Sequence, residues 1–361
     1  MKILFKKITI YLVAFALVAA PIELLAASKS GKRIHASQKK YLIKTSSRVR
    51  AQRMKVKLRH QQLVRAESQR QYTIQQADDF DGSGVLQLAS SKALIINQNT
   101  GEVVYAKNTN SQSPIASITK LMTAMVMLDA KQPLNEIIYV SDEDVDYVKG
   151  TSSRLYVGAS LTRGDMLQLA LMASENRAAS ALASNYPDGR GEFVRAMNAK
   201  AKLLGLTNTH FVDPTGLESS NVSTAEDLVK MVQAAYQYQE IRMATTSPSH
   251  EVYVGERTYP QNFNNTNSLV RGGEWQIGLS KTGYISEAGR CLVMQAKIMG
   301  EPLIIVFLDS VGKYTRIGDA NRLRKWMEYH YEPKATTTTG QANTVTPRTG
   351  APNAVMAGKI S

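Results

Sequence analysis

IGLSKTGYISEAGRCLVMQAKIMGEPLIIVFLD, residues 277–309, decides the fold. Three runs rich in apolar and β-branched residues, 277–284, 291–299 and 303–309, read as strands. Glu287-Ala288-Gly289 and Gly300-Glu301-Pro302 separate them as turns. Connections this short join antiparallel neighbours, because a parallel pair needs a long crossover. Upstream, 93–96 and 103–105 flank Asn99-Thr100-Gly101, which is a hairpin signal. Between these two β regions the pattern turns helical, at 117–129, 163–172 and 191–204. Ser223-Thr224-Ala225-Glu226 reads as a capping box opening a further helix to about residue 238. A last helix is expected over 314–329, and no internal repeat is found. Two strands, then helices, then three strands and a helix predict an α+β fold in a single unit. Its mainly antiparallel sheet of about five strands carries helices on both faces, and the two ends of the unit meet in that sheet.

Composition narrows the class. The chain has 361 residues, 43% of them apolar, which is enough to bury a sizeable core. One cysteine, Cys291, excludes an intramolecular disulfide framework and multi-cysteine metal sites. Cys291 is expected to be buried in its strand. The net charge of +14 invites a nucleic-acid reading, but the charge is localised. Residues 29–72 carry 14 Lys and Arg against the single acid Glu67, whereas the chain beyond residue 72 is nearly neutral.

Lys2, Lys6 and Lys7 precede an apolar run at 8–20, and Leu24-Leu25-Ala26-Ala27 follows with small residues. This is the layout of an export signal, residues 1–27, cleaved after Ala26 or Ala27. Pro21 and Glu23 argue against an uncleaved spanning helix. An exported chain is expected to be periplasmic and not to meet nucleic acid. Residues 28–77 form a basic linker, flexible or partly helical. Leu42, Val49, Val56 and Leu63 recur every seven residues without a second apolar position, so any helix there has a thin seam. The linker could also tether the protein to an anionic wall or membrane surface. Residues 334–361 are rich in Thr, Ala, Gly, Pro and Asn and read as a disordered tail. The folded unit is therefore expected over 78–333.

Three short motifs carry chemistry. Ser117-Ile118-Thr119-Lys120 places a hydroxyl and an amine at i and i+3, on one helical face. A neutral lysine there can take the serine proton, and a helix N-terminus offers backbone N–H groups to an oxyanion. Alone the tetrad is weak, since Ser117 could be a helix cap and Ser37-Gln38-Lys39-Lys40 repeats the spacing. Ser174-Glu175-Asn176 ends an apolar helical run; it could face a cleft or simply cap, and Ser219-Ser220-Asn221 is a second such triplet. Lys281-Thr282-Gly283 lies in a predicted strand, where Lys and Thr could bind a carboxylate and Gly would let a ligand lie along the strand.

Together, in the order S-x-x-K, S-x-N, K-T-G and each on a suitable element, the motifs are far more specific. The chain resembles the low-molecular-mass penicillin-binding proteins, the serine D,D-peptidases. Ser117-Ile118-Thr119-Lys120-Leu121-Met122-Thr123, His210-Phe211-Val212-Asp213-Pro214-Thr215-Gly216-Leu217 and Gly289-Arg290-Cys291-Leu292-Val293-Met294 point the same way. The resemblance implies a transpeptidase-like fold for the catalytic domain, 78–333. It implies Ser117 as nucleophile, Lys120 as its base and Ser174 as proton relay to the leaving amine. Asn176 would hold substrate and Lys120; Lys281 and Thr282 would hold the substrate carboxylate; Gly283 would let the substrate pair with the strand. The backbone N–H groups of Ser117 and Tyr284 would form the oxyanion hole. No metal or organic cofactor is implied. The partners implied are peptidoglycan peptides, with β-lactams as inhibitors that acylate Ser117.

Within this family the chain is most similar to D,D-endopeptidases that cut peptide cross-links. D,D-carboxypeptidases, which remove a terminal D-Ala, usually carry a further C-terminal domain and an amphipathic anchor, and 334–361 resembles neither. A β-lactamase would need an E-x-x-L-N segment between the second and third motifs, and none is found. A non-catalytic peptidoglycan-binding module is the alternative from another class; the intact motifs argue against it. The arginine that some relatives use for the carboxylate is not placed by the sequence, Arg290 being only a nearby candidate.

Overall fold

The computed structural model describes residues 82–255 and 258–331. The expected export signal (1–27), the linker (28–77) and the tail (334–361) lie outside the described residues.

The chain opens with the hairpin β1 (Lys92–Asn97) and β2 (Val103–Lys107). Three short antiparallel pairs follow. They are β3 (Ser113–Pro114) with β6 (Val222–Ser223), β4 (Ile137–Tyr139) with β5 (Ser160–Thr162), and β7 (Ser249–Val252) with β8 (Gln261–Asn264). The chain then returns through β9 (Gln276–Ile285), β10 (Gly289–Ile298) and β11 (Glu301–Ser310). The main sheet has the order β2-β1-β11-β10-β9, with every pair antiparallel. The two ends of the unit thus meet where β1 pairs with β11, and β9 is an edge.

The sheet is apolar on both faces because each strand alternates between two cores. Leu94, Ile96, Val293, Ile304, Val306 and Leu308 point to one face. There they pack with α1 (Lys120–Asp129), α2 (Arg163–Met172), α3 (Asn176–Ser184), α4 (Gly189–Leu203), α5 (Ala225–Ala235) and α6 (Gln239–Thr246). Ala93, Ile95, Leu292, Met294, Ile305 and Phe307 point to the other face. After the single-turn α7 (Ser268–Gly272), α8 (Thr315–His330) covers that second face with Ala320, Leu323 and Met327. Each fully buried large aliphatic side chain contributes about 1.5–3 kcal/mol. Two-sided burial is why these strands read as continuous apolar runs. Cys291 is fully buried in β10, and burial pushes its thiol up to about 11.

Asp319, buried in α8, closes the unit. It accepts from Ala89 N (2.9 Å), Ser90 N (2.8 Å) and Ser90 Oγ (2.5 Å), and it pairs with Arg322. The segment before β1 is thereby pinned to the last helix.

Three expected boundaries shift. The helix expected from residue 117 begins as a 3₁₀ turn, Ala116–Thr119, and becomes α-helical at Lys120. The expected capping box is one residue out of register: Thr224, not Ser223, caps α5, its side chain accepting from Asp227 N. Glu226 is not the closing member, since its carboxylate accepts from Thr109 Oγ1 (2.6 Å). The same helix ends at Ala235, and α6 begins three residues beyond its cap, Tyr236.

Candidate active site

Ser117 lies in the 3₁₀ turn at the seam between the helical layer and the β9 edge. Ala116 before it has a φ of 47°, and this left-handed residue turns the chain so that the serine faces a cleft. The turn is held from the other side by β3 against β6 and by Ile115 N donating to Asn221 O (3.1 Å). The Ser117 side chain caps nothing. Its Oγ instead accepts from Lys120 Nζ at 2.8 Å.

Lys120 is almost wholly buried, and its ammonium has two further acceptors, Asn176 Oδ1 and Thr215 O, each at 2.7 Å. Burial lowers its pKa to about 7, while the carboxylates of Asp213 and Glu175 pull it back upward. An amine near neutrality 2.8 Å from a hydroxyl can take that hydroxyl's proton at working pH.

The segment 213–221 sets the back wall. Asp213 Oδ1 accepts from Thr215 N (2.5 Å), Thr215 Oγ1 (2.6 Å) and Gly216 N (2.9 Å), and Oδ2 accepts from Glu218 N (2.9 Å). This knot aims Thr215 O at Lys120. Asn221 braces it, accepting from Val212 N and Asp213 N and donating to Thr119 Oγ1. The second S-x-N triplet is therefore structural. Gly216, at φ +82°, packs so closely that a Cβ would fall 1.9 Å from Ala116 O.

Ser174 sits at φ 59° in the turn between α2 and α3, an uncommon conformation for serine. Its Oγ accepts from Lys281 Nζ (2.9 Å), which also donates to Thr282 O (3.0 Å). Asn176 opens α3, and its Nδ2 donates to Thr151 Oγ1 (3.0 Å). Thr282 Oγ1 donates to Thr266 Oγ1 (2.6 Å). Gly283 faces the serine turn: a Cβ there would lie 3.1 Å from Ser117 N. Ser117, Ser174, Asn176, Thr282, Gly283 and Tyr284 line one cleft of about 470 Å³, with Lys120 and Lys281 buried beneath it. All eight candidate positions are thus brought together from three separate stretches of chain.

Lys281 is also buried, and desolvation, followed by the charges of Lys120 and Arg316, holds its pKa well below the usual lysine range. Arg316, in the first turn of α8, lines the same cleft. Its Nε and Nη1 are buried and make no hydrogen bond among the described residues. Desolvation, then the neighbouring charge of Arg290, lowers its pKa to about 10. An under-partnered guanidinium in a cleft is a site for an anion. Arg290, the nearby candidate from sequence, instead has its guanidinium over the Tyr284 ring at 4.2 Å. Sequence reasoning missed Arg316, Thr215, Thr151 and Thr266 because no spacing rule links them to the motifs; only the nearness of Arg290 in the sheet hinted at an arginine on this side.

The profile of the D-alanyl-D-alanine carboxypeptidase family matches residues 78–312. A D-alanyl-D-alanine endopeptidase of Pseudomonas aeruginosa is 50% identical over 242 residues, covering 67% of this chain and 78% of the relative. One of Escherichia coli is 48% identical over the same shares. The crystal structure of the Streptomyces K15 DD-transpeptidase superposes with a TM-score of 0.62 at 28% identity, covering 67% of this chain and 98% of that one.

Proposed function

The chain belongs to the D-alanyl-D-alanine carboxypeptidase family, and on that premise we infer that it is a serine D,D-endopeptidase hydrolysing D-alanyl cross-links in peptidoglycan. One observation carries the mechanism: Lys120 Nζ, at a pKa of about 7, stands 2.8 Å from Ser117 Oγ. Ser117 attacks the D-alanyl carbonyl as Lys120 takes its proton. The oxyanion meets the backbone N–H groups of Ser117 and Tyr284, the N-terminal end of the turn adding positive potential. Ser174, bonded to Lys281, passes a proton to the departing amine. Asn176 holds Lys120 through its carbonyl oxygen and faces the substrate. Lys281, Thr282 and Arg316 attract the carboxylate downstream of the scissile bond. Gly283 leaves the strand edge open to an extended substrate. Water then hydrolyses the ester on Ser117.

The endopeptidase choice over removal of terminal D-Ala rests on the names of the relatives near 50% identity. A fluorescent penicillin should label the enzyme covalently, and Ser117→Ala should abolish the label. Labelling that survives in Ser117→Ala ends the serine mechanism. Given cross-linked muropeptide dimers and free pentapeptides side by side, the enzyme should consume the dimers. Release of D-Ala with the dimers intact makes it a carboxypeptidase.

Export through residues 1–27 would place this chemistry in the periplasm, where its substrate lies; among the described residues no helix is long and apolar enough to cross a membrane. Residues 29–72, outside the described residues, would tether the enzyme to an anionic wall or membrane surface. Deleting 29–72 should leave penicillin labelling intact and weaken retention on isolated cell walls at low salt. Unchanged retention reduces the segment to a linker.

A further inference from the structure

Asn176 holds Lys120 with one end of its amide and the wall of the cleft with the other. Its Oδ1 accepts from Lys120 Nζ (2.7 Å), and its Nδ2 donates to Thr151 Oγ1 (3.0 Å). The two ends of an amide are nearly equal in size and opposite in hydrogen-bonding character, so a half-turn exchanges acceptor for donor. What opposes the half-turn lies on the segment between β4 and β5.

Thr151 Oγ1 donates to Asp146 Oδ2 (2.6 Å), which also accepts from Thr151 N (2.8 Å). Asp146 Oδ1 accepts from Val148 N and Lys149 N (2.9 Å each). Burial pushes the Asp146 carboxyl upward, but the hydrogen bonds from Lys149 N, Thr151 Oγ1, Thr151 N and Val148 N together hold its pKa below the usual value. An ionised carboxylate only accepts, so the single hydroxyl proton of Thr151 is committed to it. Toward Asn176 that hydroxyl offers only lone pairs. The amide must therefore turn Nδ2 to Thr151 and Oδ1 to Lys120.

The segment is a fixed reference for this choice. Buried Asp144 accepts from Ser180 Oγ (2.8 Å) and Ser184 Oγ (2.9 Å) on α3, the helix that Asn176 opens. Ser153 Oγ donates to Glu175 (2.8 Å), and Arg177 donates to Leu155 O (2.7 Å). Lys149 pairs with Glu287 on the β9–β10 turn.

The direction of the amide decides where the lysine lone pair points. Protonated Lys120 has three N–H groups and three acceptors, Ser117 Oγ, Asn176 Oδ1 and Thr215 O. The last two are carbonyl oxygens and cannot donate. A neutral amine keeps two N–H groups, which these carbonyls hold, and its lone pair is left facing Ser117 Oγ. With the amide reversed, Nδ2 would donate to that lone pair and draw it away from the serine.

We propose that Asp146 and Thr151 are positioning residues for acylation: they fix the direction of the Asn176 amide and so aim the Lys120 lone pair at Ser117. This rests on the D,D-peptidase reading above.

The test measures acylation by saturating penicillin from about pH 5 to 9. Thr151→Val keeps the shape of the side chain without its lone pairs, so the amide is free to reverse. The plateau rate should fall about tenfold. The midpoint should move about one pH unit toward acid, because a reversed amide stabilises the neutral amine and repels the ammonium. Thr151→Ser should restore both. A loosened wall or a lost penicillin contact lowers the rate without moving the midpoint. Asp213, Glu175 and Lys281, the charged groups acting on Lys120, stay in place. Asp146→Asn should move the midpoint in the same direction in the parent and add nothing in the Thr151→Val background, which separates the relay from mere loss of a negative charge. Thr151→Val with the parental midpoint overturns the proposal and spares the peptidase reading. So does an Asp146→Asn shift that is undiminished in the double variant, or absent in the parent. An unmodified enzyme that takes no penicillin label at all overturns the peptidase reading instead.

Discussion

Replacing Lys120 with methionine is expected to slow acylation by penicillin by about 10²–10⁴-fold. The amine is the base nearest the hydroxyl, at 2.8 Å, and methionine fills its volume without a lone pair that can take a proton. The pH dependence follows from the same group. Its pKa is lowered by burial to about 7 from the ordinary lysine value of 10.5, and the neutral amine is the active form. Acylation by the unmodified enzyme should therefore fall about tenfold per pH unit below 7 and level off above it. A flat profile from pH 5 to 8 excludes Lys120 as the base. Stability carries the same signature. Between about pH 7 and 10.5 the unfolded chain holds a proton on this lysine that the folded chain has released. Folding therefore strengthens as pH rises through that window, and the penalty for burying the charge is felt in full below pH 7. Methionine removes this slope, so the stability of Lys120→Met relative to the parent should be highest below pH 7 and decline toward pH 10. Denaturant unfolding of both proteins at pH 6 and pH 9 measures it.

Gly216→Ala is expected to disable the enzyme from a position that touches no substrate. At φ +82° an alanine is strained, which costs on the order of 1 kcal/mol or more. The larger effect is contact. The new Cβ falls 1.9 Å from Ala116 O and 2.9 Å from Ser117 N, so the serine turn must move. A misplacement of about 1 Å at a reacting group can cost about 10²-fold, and penicillin acylation should fall at least that far. The midpoint of thermal unfolding should fall as well. Gly283→Ala is the comparison, since its Cβ meets Ile115 O at 3.0 Å and Ser117 N at 3.1 Å. These contacts can relax by a few tenths of an ångström, so the loss should be smaller and should leave the unfolding midpoint nearer the parent's. Gly216→Ala acylating at the parental rate would show that the turn has slack the packing does not suggest.

Much of this site was legible in the chain because its groups act through short local spacings. Ser117 and Lys120 share one turn, Ser174 and Asn176 flank one helix start, and Lys281 to Tyr284 follow one strand. The sheet was legible because continuous apolar runs and the tight turns between them are written within short stretches of chain. The shift of the α5 cap from Ser223 to Thr224 shows the limit. Both residues fit the local signature, and the choice was made by β6, which holds Ser223 in a ladder with Ser113. The two S-x-N triplets show the same limit. Ser174-Glu175-Asn176 and Ser219-Ser220-Asn221 are equivalent on paper. Asn221 is committed to Val212, Asp213 and Thr119, whereas Asn176 faces the cleft.

By itself the sequence determined the α+β order of elements, the three motifs and the confinement of excess charge to residues 29–72. Those properties depend on residues within a turn or a strand of one another. Only the tertiary structure decided that Lys120 is buried enough to be a base near neutrality and that Arg316 brings an under-partnered guanidinium to the cleft. It alone decided that Lys149 meets Glu287 across the cleft mouth, 138 residues away along the chain. Burial and long-range charge are sums over neighbours from distant segments, and a lone chain has no neighbours until it packs.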